Sequence, residues 1–408
     1  MNPALRTFNA DARPILAADA GNVQAGDARL ARVGVFREMA AAEPYWRALE
    51  GQAHFGTAYQ SFDWSKAWLA HVGAAAGVAP FILVGFDAQG EAICLWPLGQ
   101  RRMGGLRVLE FLGGKHSNFN TALWRGDFTS KMTADDLRDV LAQLGDAADL
   151  LMLTNQPMMW NGKSNPFALL PHQTSPSSGY SGELRKDFDA LLTERTNTSA
   201  RKKMRRKERV LAGLGDVTFE RAEADSDVKR VLADFFAQKT ARMRAIGLPN
   251  VFEPADVQRF VTEAALARKD DGSHVLELYT LSLDGTIVAT IGGVASDGRF
   301  SAMFTSIIHG KFGAESVGEQ LLVRLVRHFC ERGFHTFDLG VGEAIYKGTF
   351  CPDVETLFDS YWPLTASGKL AAFALSHAAA AKRSVKQNPR LWAGVQRLRH
   401  LKAKFSGC

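Results

Sequence analysis

A chain of 408 residues with 37 Gly and 14 Pro falls outside the collagen-like, low-complexity and wholly disordered classes. Its 46% hydrophobic and 23% charged residues form an ordinary globular balance, enough to fill the cores of two or three domains. The net charge of +6 is unevenly placed: Arg201 to Arg209 carries seven basic side chains against Glu208, and Lys382 to Lys404 carries eight with no acid. Such asymmetry points to a polyanionic partner, whether nucleic acid, a membrane surface or a nucleotide-linked substrate. No stretch approaches the roughly 18 apolar residues of a membrane span, and the first thirty residues lack a secretory apolar core. A loose tail over residues 1–32 of a cytoplasmic protein is the expectation. Cys94, Cys330, Cys351 and Cys408 stand far apart without a C-x-x-C pair, which argues against a zinc site or a disulfide framework.

In chain order, Tyr45, Trp46, Leu49, Phe62, Trp64 and Trp68 fall at helical spacings and read as core. A hairpin follows: Phe81 to Phe86, the turn Asp87 to Gly90, and Ala92 to Leu98. A strand over Leu106 to Leu112, a helix over Ala134 to Leu144 and a strand over Leu150 to Leu153 complete a first α/β unit over residues 33–182. Residues 155–182, rich in Pro, Ser, Asn and Gly, read as an irregular connector. Thr198 or Ser199 can cap the basic helix, which stops at Gly213 or Gly215, and strand Val217 to Glu220 follows. A helix carrying Leu232, Phe235, Lys239, Arg242 and Arg244 precedes another from Pro254 to Arg268. Strands Val275 to Leu283, Thr286 to Ala295 and Arg299 to Ile308 are joined by the tight turns Asp284-Gly285 and Asp297-Gly298. Val317, Leu321, Leu325 and Phe329 mark one face of the next helix, Gly333 ends it, and Thr336 to Leu339 returns as a strand. A meander, a loop, a helix and a returning strand are the core of a GNAT-type acyltransferase fold, here placed at residues 183–365 and followed by basic C-terminal helices over 366–408.

Two segments carry candidate chemistry. In the loop from His309 to Glu319, Gly313, Ser316 and Gly318 would let a helix N-terminus approach a pyrophosphate, with Lys311 offsetting its charge. Ser316-Val-Gly-Glu319 is equally a capping box that would satisfy the same N–H groups internally. Past the returning strand, Asp338, Glu343, Tyr346 and Lys347 gather where a splayed sheet would open. Asp338 or Glu343 would take a proton from an amine, Tyr346 would protonate a leaving thiolate, and Lys347 would hold an anionic group. The structural alternative has Asp338 capping its turn and Lys347 pairing with Glu343. The basic helix has no interleaved aromatic residues, so base stacking is not indicated. Scattered histidines give no metal motif.

Three stretches make the chain resemble CelD-type, or BioF-like, acetyltransferases of the GNAT superfamily. They are Thr57 to Gly73; the central series Arg201, Arg205, Arg206, Arg209, Gly215, Val217, Phe219, Lys239, Arg242 and Gly247; and FDLGVGEAIYKGTF over Phe337 to Phe350. The resemblance implies tandem GNAT-like halves with mixed sheets flanked by helices, the first half degenerate and the second better formed, and a relationship to FemABX peptidyltransferases. It also implies an acetyl-CoA or other acyl-CoA donor and no metal. Lys239 and Arg242 stand among its residues as candidates for substrate binding. Where related sequences have Ser-Pro-Gly, this chain has Ser316-Val317-Gly318, and it lacks the Q/R-x-x-G-x-G/A signature.

The expected function is direct acyl transfer to an amine or hydroxyl of a small or sugar-linked acceptor, in cellulose or exopolysaccharide biosynthesis. Two rivals change the prediction. An aminoacyl-tRNA donor would give the basic helix an RNA to bind, and nucleic acid is expected only in that case. A non-catalytic scaffold would bind no CoA thioester. A basic, amphipathic C-terminal helix over Pro389 to Phe405 adds an expected peripheral contact with an anionic membrane.

Overall fold

The computed structural model describes residues 29–308, 310, 316–342, 348–388, 391 and 394. The tail expected over 1–32 therefore lies almost wholly outside the described residues, as does the C-terminal helix except for Leu391 and Gly394. The chain divides into two compact units, one of residues 1–176 with 356–383 and one of residues 177–355 with 384–408.

The first unit runs β1 (Arg32–Phe36), α1 (Met39–Glu50), β2 (His54–Phe55), α2 (Phe62–Trp68), β3 (Ala79–Phe86), β4 (Ala92–Met103), β5 (Leu106–Phe111), β6 (Leu123–Arg125), α3 (Ala134–Gln143), β7 (Leu150–Pro157), β8 (Met159–Trp160), β9 (Lys163–Ser164) and β10 (Gln173–Thr174). Its hairpin and helix fall where periodicity placed them. Trp46, Phe62 and Trp64 are fully buried, so the early aromatic residues are core, as their spacing suggested.

The second unit follows with β11 (Gly179–Glu183), α4 (Phe188–Arg195), α5 (Thr198–Ala212), β12 (Val217–Arg221), α6 (Asp225–Ile246), α7 (Ala255–Leu266), β13 (Glu277–Leu283), β14 (Thr286–Ser296), β15 (Arg299–Ile307), α8 (Val317–Glu331), β16 (Thr336–Val341) and β17 (Asp353–Glu355). Its sheet has the order β12-β13-β14-β15-β16-β11-β17. The expected meander is present, and both Asp-Gly turns have positive φ at each position, 48° then 74° and 48° then 69°. That is the twist a two-residue hairpin requires. Phe300, Phe329 and Phe337 stack between the sheet and α8.

Three expectations need correction. The segment 155–182 is not simply a connector: β11 pairs antiparallel with β16 and adds a strand to the second sheet. The second unit does not extend to residue 365. β18 (Leu357–Pro363) returns to pair with β7, and α9 (Ala366–Gln387) follows it. Leu357, Phe358 and Trp362 are buried there, so an apolar strand fills the first sheet instead of closing the second domain. The basic helix is capped by Asn197, whose side chain accepts from Ala200 N at 2.8 Å, rather than by Thr198 or Ser199. No helix among the described residues is long and apolar enough to cross a membrane.

Candidate functional site

The site begins with an irregularity in β15. Gly292 pairs with Phe304 and Gly293 with Ala302, so Met303 is an extra residue without a partner on β14. One inserted residue reverses the in-and-out alternation beyond it. Before the bulge, Phe300 stacks on Phe329 of α8 with centroids 4.3 Å apart. After it, Phe304 turns to the opposite face and packs on Phe235 of α6 at 4.2 Å. Ser306 Oγ on that face donates to Gln238 Oε1 of α6 at 2.8 Å. The glycine pair makes this possible, since a Cβ at Gly292 would lie 2.3 Å from the Phe304 ring and one at Gly293 2.4 Å from Phe300.

β16 runs parallel to β15, but the two pair only where Arg299–Ser301 meets Thr336–Asp338. Its other edge is held by β11. Past the short ladder the strands part, and the opening is a cavity of about 840 Å³. Thr305 and Ile307 line it from β15, and Leu339 and Val341 from β16. Met204 of α5 and Leu322 of α8 close one side, while Lys239 and Arg242 of α6 stand on another.

Arg299 locks the vertex. Its Nε donates to Asp338 Oδ2 at 2.7 Å, and its two terminal nitrogens donate to Glu355 at 2.8 Å each. Ser301 Oγ also donates to Asp338 Oδ2, and Gly340 N donates to Oδ1 at 2.9 Å. Burial pushes the Asp338 carboxyl up from its ordinary value, while Arg299 and Ser301 oppose that shift. Arg299 itself is raised, its two carboxylate partners outweighing its burial. Asp338 is fully buried with both oxygens engaged, which is the arrangement of a turn-capping, strand-tying residue. The expectation that it takes a substrate proton finds no open path in this geometry.

The first turn of α8 forms a different wall. Ser316 has φ 51° and its side chain caps nothing, while Glu319 pairs with Lys207 of α5. The S-x-x-E capping box is therefore not made, although its sequence is present. Ser316, Val317, Gly318 and Glu319 all line the cavity, so this helix start, without a side-chain cap from Ser316, faces the opening. Gly318 lets the helix close onto β15, because a Cβ there would fall 2.5 Å from Ile307 Cδ1.

Of the residues singled out in the sequence, Lys239, Arg242, Ser316 and Gly318 thus meet at one cavity, although they come from two helices far apart in the chain. Asp338 lies behind its vertex. Lys311, Gly313, Glu343, Tyr346 and Lys347 lie outside the described residues. Val341 and Thr349, which bracket the last three, both line the cavity. Lys239 Nζ donates to Thr305 O at 3.1 Å, and burial, followed by the neighbouring Arg242, draws its ammonium below the ordinary value. Sequence reasoning missed Arg299, Met204 and the Met303 bulge. Adjacent glycines inside a strand, Gly292-Gly293, were the available signal for the last. Among the described residues no group of three or more His, Cys, Asp or Glu is placed to hold a metal ion.

The first unit has the corresponding pair of parallel strands and closes it. β5 and β7 pair over Val108–Glu110 against Leu150–Met152. Beyond that ladder buried Asn120 bridges the gap: its N donates to Asn155 O at 3.0 Å, and its Nδ2 to Gly114 O and Thr154 O at 3.1 and 3.2 Å. Phe167 fills the neighbouring space against Trp96 at 4.8 Å and Trp124 at 5.3 Å.

An open splay in the second unit, with a helix start at its mouth, is where comparison with known proteins becomes informative. Residues 198–348 match the family model described as an acetyltransferase (GNAT) domain. This GNAT domain falls inside the second unit. Among solved structures, FemX shares 12% identity over 78% of this chain and 95% of its own, with a TM-score of 0.55. The C-terminal domain of a putative lysylphosphatidylglycerol synthetase from Agrobacterium fabrum is 13% identical over 84% and 96%, at 0.49. A tandem GNAT protein from the clavulanic acid biosynthesis pathway is 10% identical over 81% and 98%, at 0.41. At 12% identity, the likeness to FemX is one of fold. No curated protein matches the chain. The chain is a mixed α/β protein with sheets flanked by helices, and it carries a GNAT acetyltransferase domain.

Proposed function

We propose that this chain moves an acetyl or other acyl group from acyl-CoA to an amine or hydroxyl of a sugar-linked acceptor, as a CelD-type enzyme of polysaccharide biosynthesis. The observation that carries this reading is the cavity between β15 and β16. Strand edges that part leave N–H and C=O groups able to pair with the amide-bearing arm of an acyl-CoA. The first turn of α8, lacking a side-chain cap from Ser316, supplies N–H groups and partial positive charge for its pyrophosphate. Attack by the acceptor nitrogen or oxygen on the thioester carbonyl forms the new C–N or C–O bond and breaks the C–S bond. The acceptor loses one proton and the thiolate gains one. We assign the first transfer to Glu343 and the second to Tyr346, with Lys347 holding an anionic group, because Val341 and Thr349, on either side of them in the sequence, line the cavity. Direct attack is favoured over a cysteine intermediate: Cys330 and Cys351 are buried, and burial pushes the Cys330 thiol up. The setting would be the cytoplasm, with the basic segment from Pro389 to Phe405 against an anionic membrane surface.

Calorimetric titration with CoA and acetyl-CoA, joined to thiol release with amino-sugar acceptors, tests the proposal. Absence of binding by either thioester or thiol at millimolar concentration would overturn it. One observation favours a second reading. Lys202, Arg206 and Arg209 form an exposed stripe on α5, and no described carboxylate pairs with them. An aminoacyl-tRNA donor would make use of that stripe, and RNA binding that weakens steeply with salt would support it.

A further inference from the structure

The α6 wall of the cavity carries positive charge that nothing on the described walls neutralises. Lys239 and Arg242 stand three residues apart on one helix, so both side chains reach the same side. Each is partly buried and each lines the cavity. Lys239 spends one donor on Thr305 O and lies 5.9 Å from the Phe252 ring centroid. Among the described residues no carboxylate pairs with either cation, and Glu319, the acid lining the cavity, is engaged by Lys207. Two like charges held together and partly withdrawn from water are unfavourable alone, and a bound anion offsets both costs.

These cations are also separated from the start of α8 by the sheet itself. The bulge at Met303 sends Phe304 and Ser306 toward α6, while Phe300 before it and Ile307 after it face α8. The cavity therefore has one anion-attracting wall on each face of the sheet. The α8 wall suits the phosphates of a CoA donor.

We infer that the acceptor carries an anionic group, phosphate or carboxylate, apart from its nucleophile, and that Lys239 and Arg242 hold that group from the α6 side. That the ligand is an acceptor rests on the acyl-transfer proposal; that the α6 wall binds an anion does not.

Calorimetry on the full chain, with and without saturating CoA, tests this with three probes: glucosamine, glucosamine 6-phosphate and muramic acid. At least one anionic probe is expected to bind about tenfold or more tightly than glucosamine, a charge-assisted contact being the difference, and which one does so identifies the anion. Arg242→Gln and Lys239→Gln should each remove most of that advantage while leaving CoA affinity in place and without lowering the melting temperature of the ligand-free protein. Arg230→Gln, exposed at the start of the same helix, should change none of these. Equal affinity for all three probes would overturn the inference. So would Arg242→Gln weakening CoA while sparing the anionic probe, because the cations would then serve the donor. Failure of CoA to bind, with the anionic probe still lost in Arg242→Gln, would overturn acyl transfer and support the anion site.

Discussion

Asp338→Asn separates a structural from a catalytic aspartate, and the geometry sets the size of the effect. The wild-type carboxylate accepts from Arg299 Nε and Ser301 on one oxygen and from Gly340 N on the other. An amide has one accepting oxygen. Whichever way Asn is turned, its NH2 group meets either the Arg299 N–H or the Gly340 N–H, donor against donor. The substitution also removes half the counter-charge of a guanidinium that is only 5% exposed. Breaking a buried pair costs about 3–5 kcal/mol, and retention of the two Glu355 contacts places this variant near the lower end, about 3 kcal/mol. For a unit of this size that corresponds to a fall of roughly 6–12 °C in melting temperature. The combined change Arg299→Met with Asp338→Leu and Glu355→Gln leaves no unpaired charge at the vertex and should recover part of the loss. The assays are thermal melts followed by circular dichroism and CoA release well below the transition. Turnover in Asp338→Asn should stay within about tenfold of wild type. An unchanged melting temperature with a hundredfold loss of turnover would refute the structural assignment and return Asp338 to proton transfer.

Three further outcomes are expected. Gly318→Val forces atoms against Ile307, where even a Cβ would sit 2.5 Å away, and should cost about 1–3 kcal/mol while weakening CoA binding; unchanged CoA affinity by calorimetry would detach the start of α8 from the donor. Tyr346→Phe should lower kcat by about 100-fold, and Lys347→Ala should lower kcat/KM by about ten- to a hundredfold, with melting temperatures preserved. Intact CoA release in both would remove the catalytic assignment. In the first unit, burial raises the Glu50 carboxyl to about 7, opposed by its 2.6 Å hydrogen bond from Phe62 N and by Arg47. The native state thus holds a proton that the unfolded chain releases near pH 4.5, so this contribution is full below that value and is lost as pH rises through about 7. Glu50→Gln, which still accepts from Phe62, should gain stability relative to wild type between pH 5 and 8, by up to about 3 kcal/mol. A constant difference across that range in chemical denaturation would contradict the shift.

Much of the GNAT domain was legible because its signals are local. A hairpin turn is decided by the φ values that Asp284-Gly285 and Asp297-Gly298 accept, and the buried face of α8 follows from apolar residues at helical spacing. Lys239 and Arg242 were visible as cations on a helix with an apolar side. Other local patterns misled for a single reason: their polar groups found distant partners. Glu319 is three residues from Ser316, as a capping box requires, yet it pairs with Lys207, 112 positions away. Asp338 looks like a base at a strand end until Arg299, 39 positions earlier, closes on it.

By itself, then, the amino-acid order determined the meander, the helix faces, the basic stripe of α5 and the fold class, because hydrogen bonding and burial within short segments decide those. Tertiary structure decided that β11 extends the second sheet and that β18 leaves it for the first, since strand pairing depends on which edge is open and which apolar surface remains uncovered. It also decided that Lys239, Arg242, Ser316 and Gly318 share one cavity. That cavity exists because β15 and β16 pair for three residues and then part, a non-local register that the Met303 bulge and the Arg299 vertex impose and that no short stretch of sequence encodes.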